Sequence, residues 1–171
     1  MTLPDDLIII NDFFDDPDKV REKAVVCDYD YSEDVKEGWR GYRTKVIPGA
    51  FNDPIINLVS KFYGVDKDEY HSTVHFHISC EDTKNLLDFP NEKWHTDCSI
   101  FAGLVYLTPN PPPNSGTCLI DGENNRMITV NNVYNRIIIY PSNYIHGPED
   151  LFGDTKECGR MTLTFFVWKN S

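Results

Sequence analysis

The sequence predicts a mainly β protein (α+β overall), a sandwich or jelly roll carried behind two flanking N-terminal helices. Three observations predict it. Apolar residues at helical spacing are confined to the first part of the chain. From Tyr70 onward the apolar residues alternate with polar ones, or form short continuous runs. Those runs are separated by turns rich in Pro, Gly and Asn, among them Pro109-Asn110-Pro111-Pro112-Pro113-Asn114-Ser115-Gly116, which has no place in a sheet interior.

The elements follow in order. Leu7-Ile8-Ile9-Ile10 reads as a buried strand. Asp15-Asp16-Pro17 starts a helix, with Asp16 as N-cap and Pro17 at the first helical position, where its missing N–H costs nothing. Val20, Ala24 and Val25 give that helix an apolar face, and it ends near Cys27. Residues 28–38 are polar and acidic and read as a loop. Gly38-Trp39-Arg40-Gly41-Tyr42-Arg43 leads into a strand over residues 44–47, its glycines suiting close approach of the backbone. Asn52-Asp53-Pro54 starts a second helix, with Ile55, Ile56, Leu58, Val59 and Phe62 on its apolar stripe and Gly64 as its stop. Strands are then expected from Tyr70 to Ser79, from Ile100 to Thr108, from Thr117 to Asp121, from Met127 to Val130, from Arg136 to Tyr140, and from Arg160 to Trp168. Residues 81–93 form a charged connection of the length at which loops become functional, and so a candidate lid.

The totals narrow the function classes. The chain of 171 residues is expected to form a single domain, residues 1–171, and 40% hydrophobic and 13% aromatic content argue for a packed core rather than disorder. A net charge of -11 disfavours a broad nucleic-acid or anionic-membrane footprint. No apolar run reaches the length of a membrane span, and the first residues lack a basic, apolar signal segment. The 5 cysteines, an odd number with no Cys-x-x-Cys spacing, fit free thiols in a reducing, cytoplasmic setting.

Chemistry concentrates at Trp94-His95-Thr96-Asp97. Residues two apart on an extended chain face the same way, so His95 and Asp97 share one side of a strand end. His146 follows a strand and a turn, and Arg160 opens the final strand. Two histidines and a carboxylate make the donor set of non-haem Fe(II) sites, and the same borderline ligands suit Mn, Co, Ni or Zn. A 2-oxo acid bound to such an ion needs a cation for its far carboxylate. Arg160 is the candidate, with Thr162 two residues on adding a hydroxyl. His75 and His77 share the polar face of their strand and are read as pocket lining or surface rather than as metal ligands. Tyr106 and Arg43 are further candidates for the pocket wall.

With these residues the sequence resembles the Fe(II)/2-oxoglutarate-dependent oxygenases, particularly their prolyl-hydroxylase-like branch. The resemblance is carried by His95-Thr96-Asp97, Ala102-Gly103-Leu104-Val105-Tyr106-Leu107, Ser115-Gly116-Thr117, Asn135-Arg136-Ile137-Ile138-Ile139-Tyr140-Pro141-Ser142, His146 and Gly159-Arg160-Met161-Thr162. More faintly, Asn11-Asp12-Phe13-Phe14 and Gly41-Tyr42-Arg43 look like the front of small, some of them phage-encoded, members. The resemblance implies a double-stranded β-helix, iron ligands at His95, Asp97 and His146, and cosubstrate binding at Arg160 and Thr162. It implies Fe(II), 2-oxoglutarate and O2 as cofactors, and hydroxylation of a peptide, protein or small-molecule substrate with conversion of 2-oxoglutarate to succinate and CO2. Where the family often has a cosubstrate-lining tyrosine, this chain has His75 and His77. Where the nucleic-acid-demethylase branch has a second arginine it has Phe166, so the expectation is no nucleic-acid substrate. Two other readings stand beside it: a non-catalytic jelly-roll binding or assembly module, and a metal-dependent oxygenase that does not use 2-oxoglutarate. An intact donor set speaks against the first, and Arg160 against the second.

Overall fold

Capping residues place the helices. In the computed structural model, which describes residues 3–32, 41–49, 51–81, 94–121 and 126–171, helix α1 spans Pro17–Val25. The Asp16 carboxylate accepts the Lys19 N–H at 3.2 Å, and Pro17 occupies the first turn. Ala24 is fully buried, but Val25 is 40% exposed, so the packed stripe is narrower than the apolar spacing suggests. Helix α2 spans Asn52–Tyr63 and stops at Gly64, whose φ of 68° is the left-handed conformation that glycine adopts without strain. Ile55, Ile56 and Val59 are buried on α2, whereas Phe62 stays exposed.

Ten strands are described: β1 (Ile8–Ile10), β2 (Asp30–Ser32), β3 (Gly41–Arg43), β4 (Tyr70–Ser79), β5 (Phe101–Tyr106), β6 (Thr117–Asp121), β7 (Arg126–Val130), β8 (Ile137–Pro141), β9 (Ile145–Pro148) and β10 (Arg160–Lys169). They form a seven-stranded sheet in the order β1-β8-β5-β10-β4-β3-β2 and a three-stranded sheet in the order β7-β6-β9. The described pairings are antiparallel. This is the expected jelly roll, with α1 and α2 on the outer face of the larger sheet.

Two expectations need correction. Residues 28–38 were expected to form a loop, yet β2 lies inside that range and pairs with β3. The strand expected at residues 44–47 is instead β3, a few residues earlier. Gly41 begins it at φ 95°, and residues 44–47 form no continuous ladder but keep separate backbone bonds to β4, from Thr44 N–H to Phe76 O (3.0 Å) and from Ile47 N–H to Val74 O (2.8 Å). The Gly38–Arg40 part of that stretch, the connection over residues 82–93 read as a lid, and the turn at residues 122–125 lie outside the described residues.

Alternation divides the interior into two cores. On β10, Met161, Leu163, Phe165 and Val167 are fully buried toward the helices, joined by Val74, Phe76 and Ile78 of β4 and by Ile55, Val59 and Ala24. Each such side chain larger than alanine contributes roughly 1.5–3 kcal/mol of hydrophobic stabilisation. The other faces of the larger sheet, with Leu104, Tyr106, Ile138 and Tyr140, meet Leu119, Ile128 and Val130 of the smaller sheet. Arg160, Thr162, Thr164, Phe166 and Trp168 share that inward face of β10. Among the described residues no helix is long and apolar enough to cross a membrane.

Gly103 sets the spacing of β5. A Cβ there would overlap the Ile138 carbonyl oxygen of β8 and the Phe165 ring of β10. Gly103→Ala should therefore destabilise the fold by about 3 kcal/mol, the upper end of ordinary overpacking. Urea unfolding measures this, and an unchanged midpoint would contradict the close approach of β5 to its neighbours.

Candidate functional site

The site is assembled by one backbone bridge. His95 and His146 exchange both main-chain hydrogen bonds, His95 N–H to His146 O at 3.1 Å and His146 N–H to His95 O at 2.8 Å. Directly opposed residues of an antiparallel pair project to the same side, which sets the two imidazoles side by side with ring centroids 4.4 Å apart. Asp97, two residues on, returns to the same face and is anchored by its N–H to Ser142 O at 3.0 Å. His95 thus acts as a one-residue extension of the smaller sheet beyond β9.

The donor atoms converge. Asp97 Oδ2 lies 3.3 Å from His146 Nε2, and Asp97 Oδ1 lies 3.9 Å from His95 Nε2. One ligating atom from each residue falls within 4.8 Å of the others. The Nδ1 of His146 lies 3.0 Å from Tyr144 O. A carbonyl can only accept, so Nδ1 carries the proton and the Nε2 lone pair faces Asp97. Burial, with His95 alongside, pushes the His146 pKa down to about 3, so its ring is neutral near pH 7. Burial pushes the Asp97 carboxyl above its ordinary 3.8, against the pull of His95 and Arg43. A largely buried carboxylate beside a neutral imidazole with an outward lone pair suits a divalent cation. Ligands about 2.1 Å from an ion stand roughly 3 Å from one another. Asp97 and His146 are already near that spacing, and a small shift of the half-exposed His95 ring would close the set.

Arg160 lies deeper, 5% exposed. Its Nε donates to Ser115 O (3.1 Å), and its Nη2 donates to Gly116 O (3.3 Å) and to Thr117 Oγ1 (2.9 Å). Its guanidinium stands 5.4 Å from the Tyr106 ring centroid. Carbonyls and a hydroxyl orient this cation without neutralising it, and among the described residues no carboxylate pairs with it. Burial accordingly lowers the Arg160 pKa, while Tyr106 beside it opposes the shift. Thr162 Oγ1 lies 3.2 Å from Thr164 Oγ1 on the same face.

Beside Asp97 opens a cleft of about 330 Å³ whose walls also include Asp30, Arg43, His75, Phe166 and Trp168. Arg43 stacks over the Phe166 ring at 5.1 Å. His77 sits farther along β4, in register with both Arg43 and Thr162. The fully buried Tyr106 lies under Arg160 rather than at the cleft. Thr117, part of the stretch that carries the resemblance, was not among the expected site residues although it bonds both Arg160 and Tyr106 (2.7 Å from the Tyr106 hydroxyl). No local pattern marks a threonine whose role depends on two other strands. Phe166 and Trp168 were traceable, since they recur at period two from Arg160.

His75 gives the fold an acid sensitivity. Its Nδ1 lies 2.9 Å from Thr44 O, and burial, aided by Arg43, holds its pKa below the ordinary 6.5. A histidine whose folded pKa is depressed contributes stability above the unfolded pKa and loses it as pH falls from about 6.5 through the lowered value. Thermal melts between pH 7 and 5 should show wild type losing more Tm than His75→Gln, which keeps a donor for Thr44; equal losses would remove His75 from the acid response.

No protein-family model and no curated protein matches the chain. Solved structures do. A prolyl-4-hydroxylase from Pseudomonas putida aligns over 97% of this chain and 94% of its own, with a TM-score of 0.57 at 12% identity. A prolyl hydroxylase from Trichoplax adhaerens, in complex with a hypoxia inducible factor oxygen degradation domain peptide, aligns over 96% and 84%, with a TM-score of 0.62 at 11% identity. HygX from Streptomyces hygroscopicus, with nickel, 2-oxoglutarate and hygromycin B bound, aligns over 96% and 83%, with a TM-score of 0.64 at 12% identity. The chain therefore has the double-stranded β-helix fold of these oxygenase structures.

Proposed function

We propose that this protein is an Fe(II)- and 2-oxoglutarate-dependent dioxygenase that hydroxylates a substrate C–H bond. The observation that carries the reading is Arg160: a buried guanidinium without a carboxylate partner among the described residues, on the strand face that also looks toward His95, Asp97 and His146. A metal-binding module or an oxygenase without a dicarboxylate cosubstrate has no use for that cation. The neighbouring structures support the reading through their fold and, for HygX, through the metal and 2-oxoglutarate that it holds.

His95, Asp97 and His146 would hold the iron, and Arg160 with Thr162 would hold the far carboxylate of 2-oxoglutarate. The bound pair would supply the oxidising chemistry. Overall, O2 gains four electrons, two from 2-oxoglutarate as it becomes succinate and CO2, and two from the substrate C–H bond; one oxygen atom enters succinate and the other the new hydroxyl. The chain's own residues orient and exclude. Tyr144 O fixes the His146 tautomer, so its Nε2 stays aimed inward. Ser115, Gly116 and Thr117 hold the guanidinium in place before any carboxylate arrives. Leu104, Ile138 and Leu119 close the barrel behind the site and keep water from its floor.

Anaerobic titration of metal-free protein with Fe(II), with and without 2-oxoglutarate, tests the reading. A weak visible charge-transfer band is expected only with both present. Iron binding without a band would favour a metal enzyme of another kind, and absence of iron binding would leave a jelly-roll binding module.

A further inference from the structure

Away from the candidate metal donors, two thiols meet where the loop before β10 folds back onto the end of β4. We propose that Cys80 and Cys158 close into a reversible disulfide clasp, a peroxide-sensitive modification site that stands independently of the oxygenase reading.

Both sulfurs approach one atom. Cys80 Sγ lies 3.3 Å and Cys158 Sγ 3.7 Å from the Thr155 carbonyl oxygen, so the sulfurs stand no farther apart than those two lengths end to end. The backbone brings them there. The β4–β10 ladder ends with Arg160 opposite Ser79, and Gly159 and Cys80 are the next residues on the two strands. Gly159 N–H closes a turn on the same Thr155 carbonyl at 2.9 Å, and Glu81 N–H bonds Gly153 O at 2.7 Å. The turn that carries Cys158 is thus fastened to the end of β4 beside Cys80. Gly159 keeps the approach open, since a Cβ there would lie 2.6 Å from Cys80 Sγ. The other cysteines are placed differently. Cys27 Sγ bonds Lys23 O, Cys118 Sγ meets the Thr129 hydroxyl, and Cys98 lines the cleft.

Unequal access sets the order of events. Cys158 is exposed, whereas Cys80 is 1% exposed, so hydrogen peroxide meets Cys158 first. The Cys158 thiol donates to Asp154 Oδ1 at 3.2 Å, and that carboxylate is placed to take its proton. The sulfur attacks peroxide, the O–O bond breaks, and a sulfenic acid forms as one water leaves. The Cys80 sulfur then attacks the Cys158 sulfur. The S–O bond breaks, the S–S bond forms, and a second water leaves. Two thiols lose two protons and two electrons, and one peroxide becomes two waters. Closure asks the Cys158 side chain to turn from Asp154 toward β4, with no strand pairing to break. The loop so fastened also bears on Arg160. At its start, Glu149 N–H bonds Gly116 O (3.0 Å) and Glu149 Oε2 accepts Gly116 N–H (3.2 Å), and Gly116 O is one of the carbonyls that orient the guanidinium.

The test is a peptide map and needs no turnover. The full chain is exposed to graded hydrogen peroxide, remaining thiols are alkylated, and non-reducing mass spectrometry reads the links. A Cys80–Cys158 peptide pair, lighter by two hydrogens, should appear within one molecule and vanish with dithiothreitol. Oxidation should raise the Tm by about 5 °C or more, because a cross-link between positions so distant in sequence restrains the unfolded chain. Cys80→Ser should leave Cys158 trapped as a sulfenic acid that dimedone captures. Cys158→Ser should leave Cys80 fully alkylatable at the same dose. Linkage of either residue to a different cysteine, linkage only between molecules, or advance of Cys158 to a sulfinic acid while Cys80 stays alkylatable would each overturn the proposal. Equal oxidation of Cys80 in Cys158→Ser would overturn the order of events. Should the buried substitution Cys80→Ser fail to fold, the wild-type map and Cys158→Ser still decide.

Discussion

Asp97→Ala should leave a folded protein that no longer retains Fe(II). Asp97 is the only anionic donor of the cluster, and two imidazoles alone make a weak site. Loss of residues that merely orient metal ligands typically costs 10–100-fold in affinity, so loss of this ligand should cost at least about 100-fold. The fold should survive because burial already disfavours the Asp97 charge in the metal-free state, and removing the carboxylate leaves the His95–His146 backbone bridge intact. Iron per protein after desalting, alongside a circular dichroism melt, measures both halves. Unchanged iron stoichiometry would refute the ligand assignment. Asp97→Glu separates geometry from charge. It keeps the anion but displaces it by about 1.5 Å, one carbon–carbon bond, in a cluster whose partners stand 3.3 and 3.9 Å away. It should lose turnover as well.

Arg160→Ala should keep the iron and lose the cosubstrate. The guanidinium shares no contact with the metal donors, so iron stoichiometry should stay at the wild-type value. A hydrogen bond to a charged group contributes about 1.5–3 kcal/mol, which at about 1.4 kcal/mol per decade is a ~10- to 100-fold rise in the 2-oxoglutarate concentration needed for the visible band. Truncation also strips donors from the Ser115 and Gly116 carbonyls, so some stability should go with the affinity. Arg160→Lys distinguishes charge from shape. An ammonium keeps the charge but cannot fork between two carbonyls and a ligand carboxylate, and it should fall between wild type and alanine. An unchanged half-saturation in Arg160→Ala would move the anchor elsewhere.

Much of this architecture was legible because the signals are local. Asp16-Pro17 announces a cap, and the structure places the helix there. The alternation from Tyr70 to Ser79 separates Val74, Phe76 and Ile78 from His75 and His77, as the burial does. Strand β2 was not legible. Asp30–Ser32 is a short edge strand in acidic surroundings, and only its pairing with β3 makes it a strand. Strand β3 begins at a glycine with positive φ, which reads locally as a turn. Phe62 fits the apolar stripe of α2 but points past the edge of the contact, since a helix stripe gives the face and not its width. For the site, His95 and Asp97 are joined by period two alone. His146 needs the bridge between distant segments, and Thr117 gains its role only when β6 meets β5 and β10. Arg43 was visible as an arginine beside a glycine and an aromatic. Its place opposite Asp30 depends on a register that neither residue encodes by itself.

The three candidate metal donors differ in their access to solvent. The Asp97 and His146 side chains are 13% and 10% exposed, whereas that of His95 is 47% exposed. In the proposed metal site, an ion arriving from solvent would meet the prearranged inner pair first and the His95 ring last. Release would run in reverse, so exchange with an external chelator should depend on that one ring rather than on opening of the barrel. His95→Ala should therefore speed ion release far more than it slows capture. On this reading, how long each molecule stays loaded with its ion would be set by the single candidate ligand that faces the water.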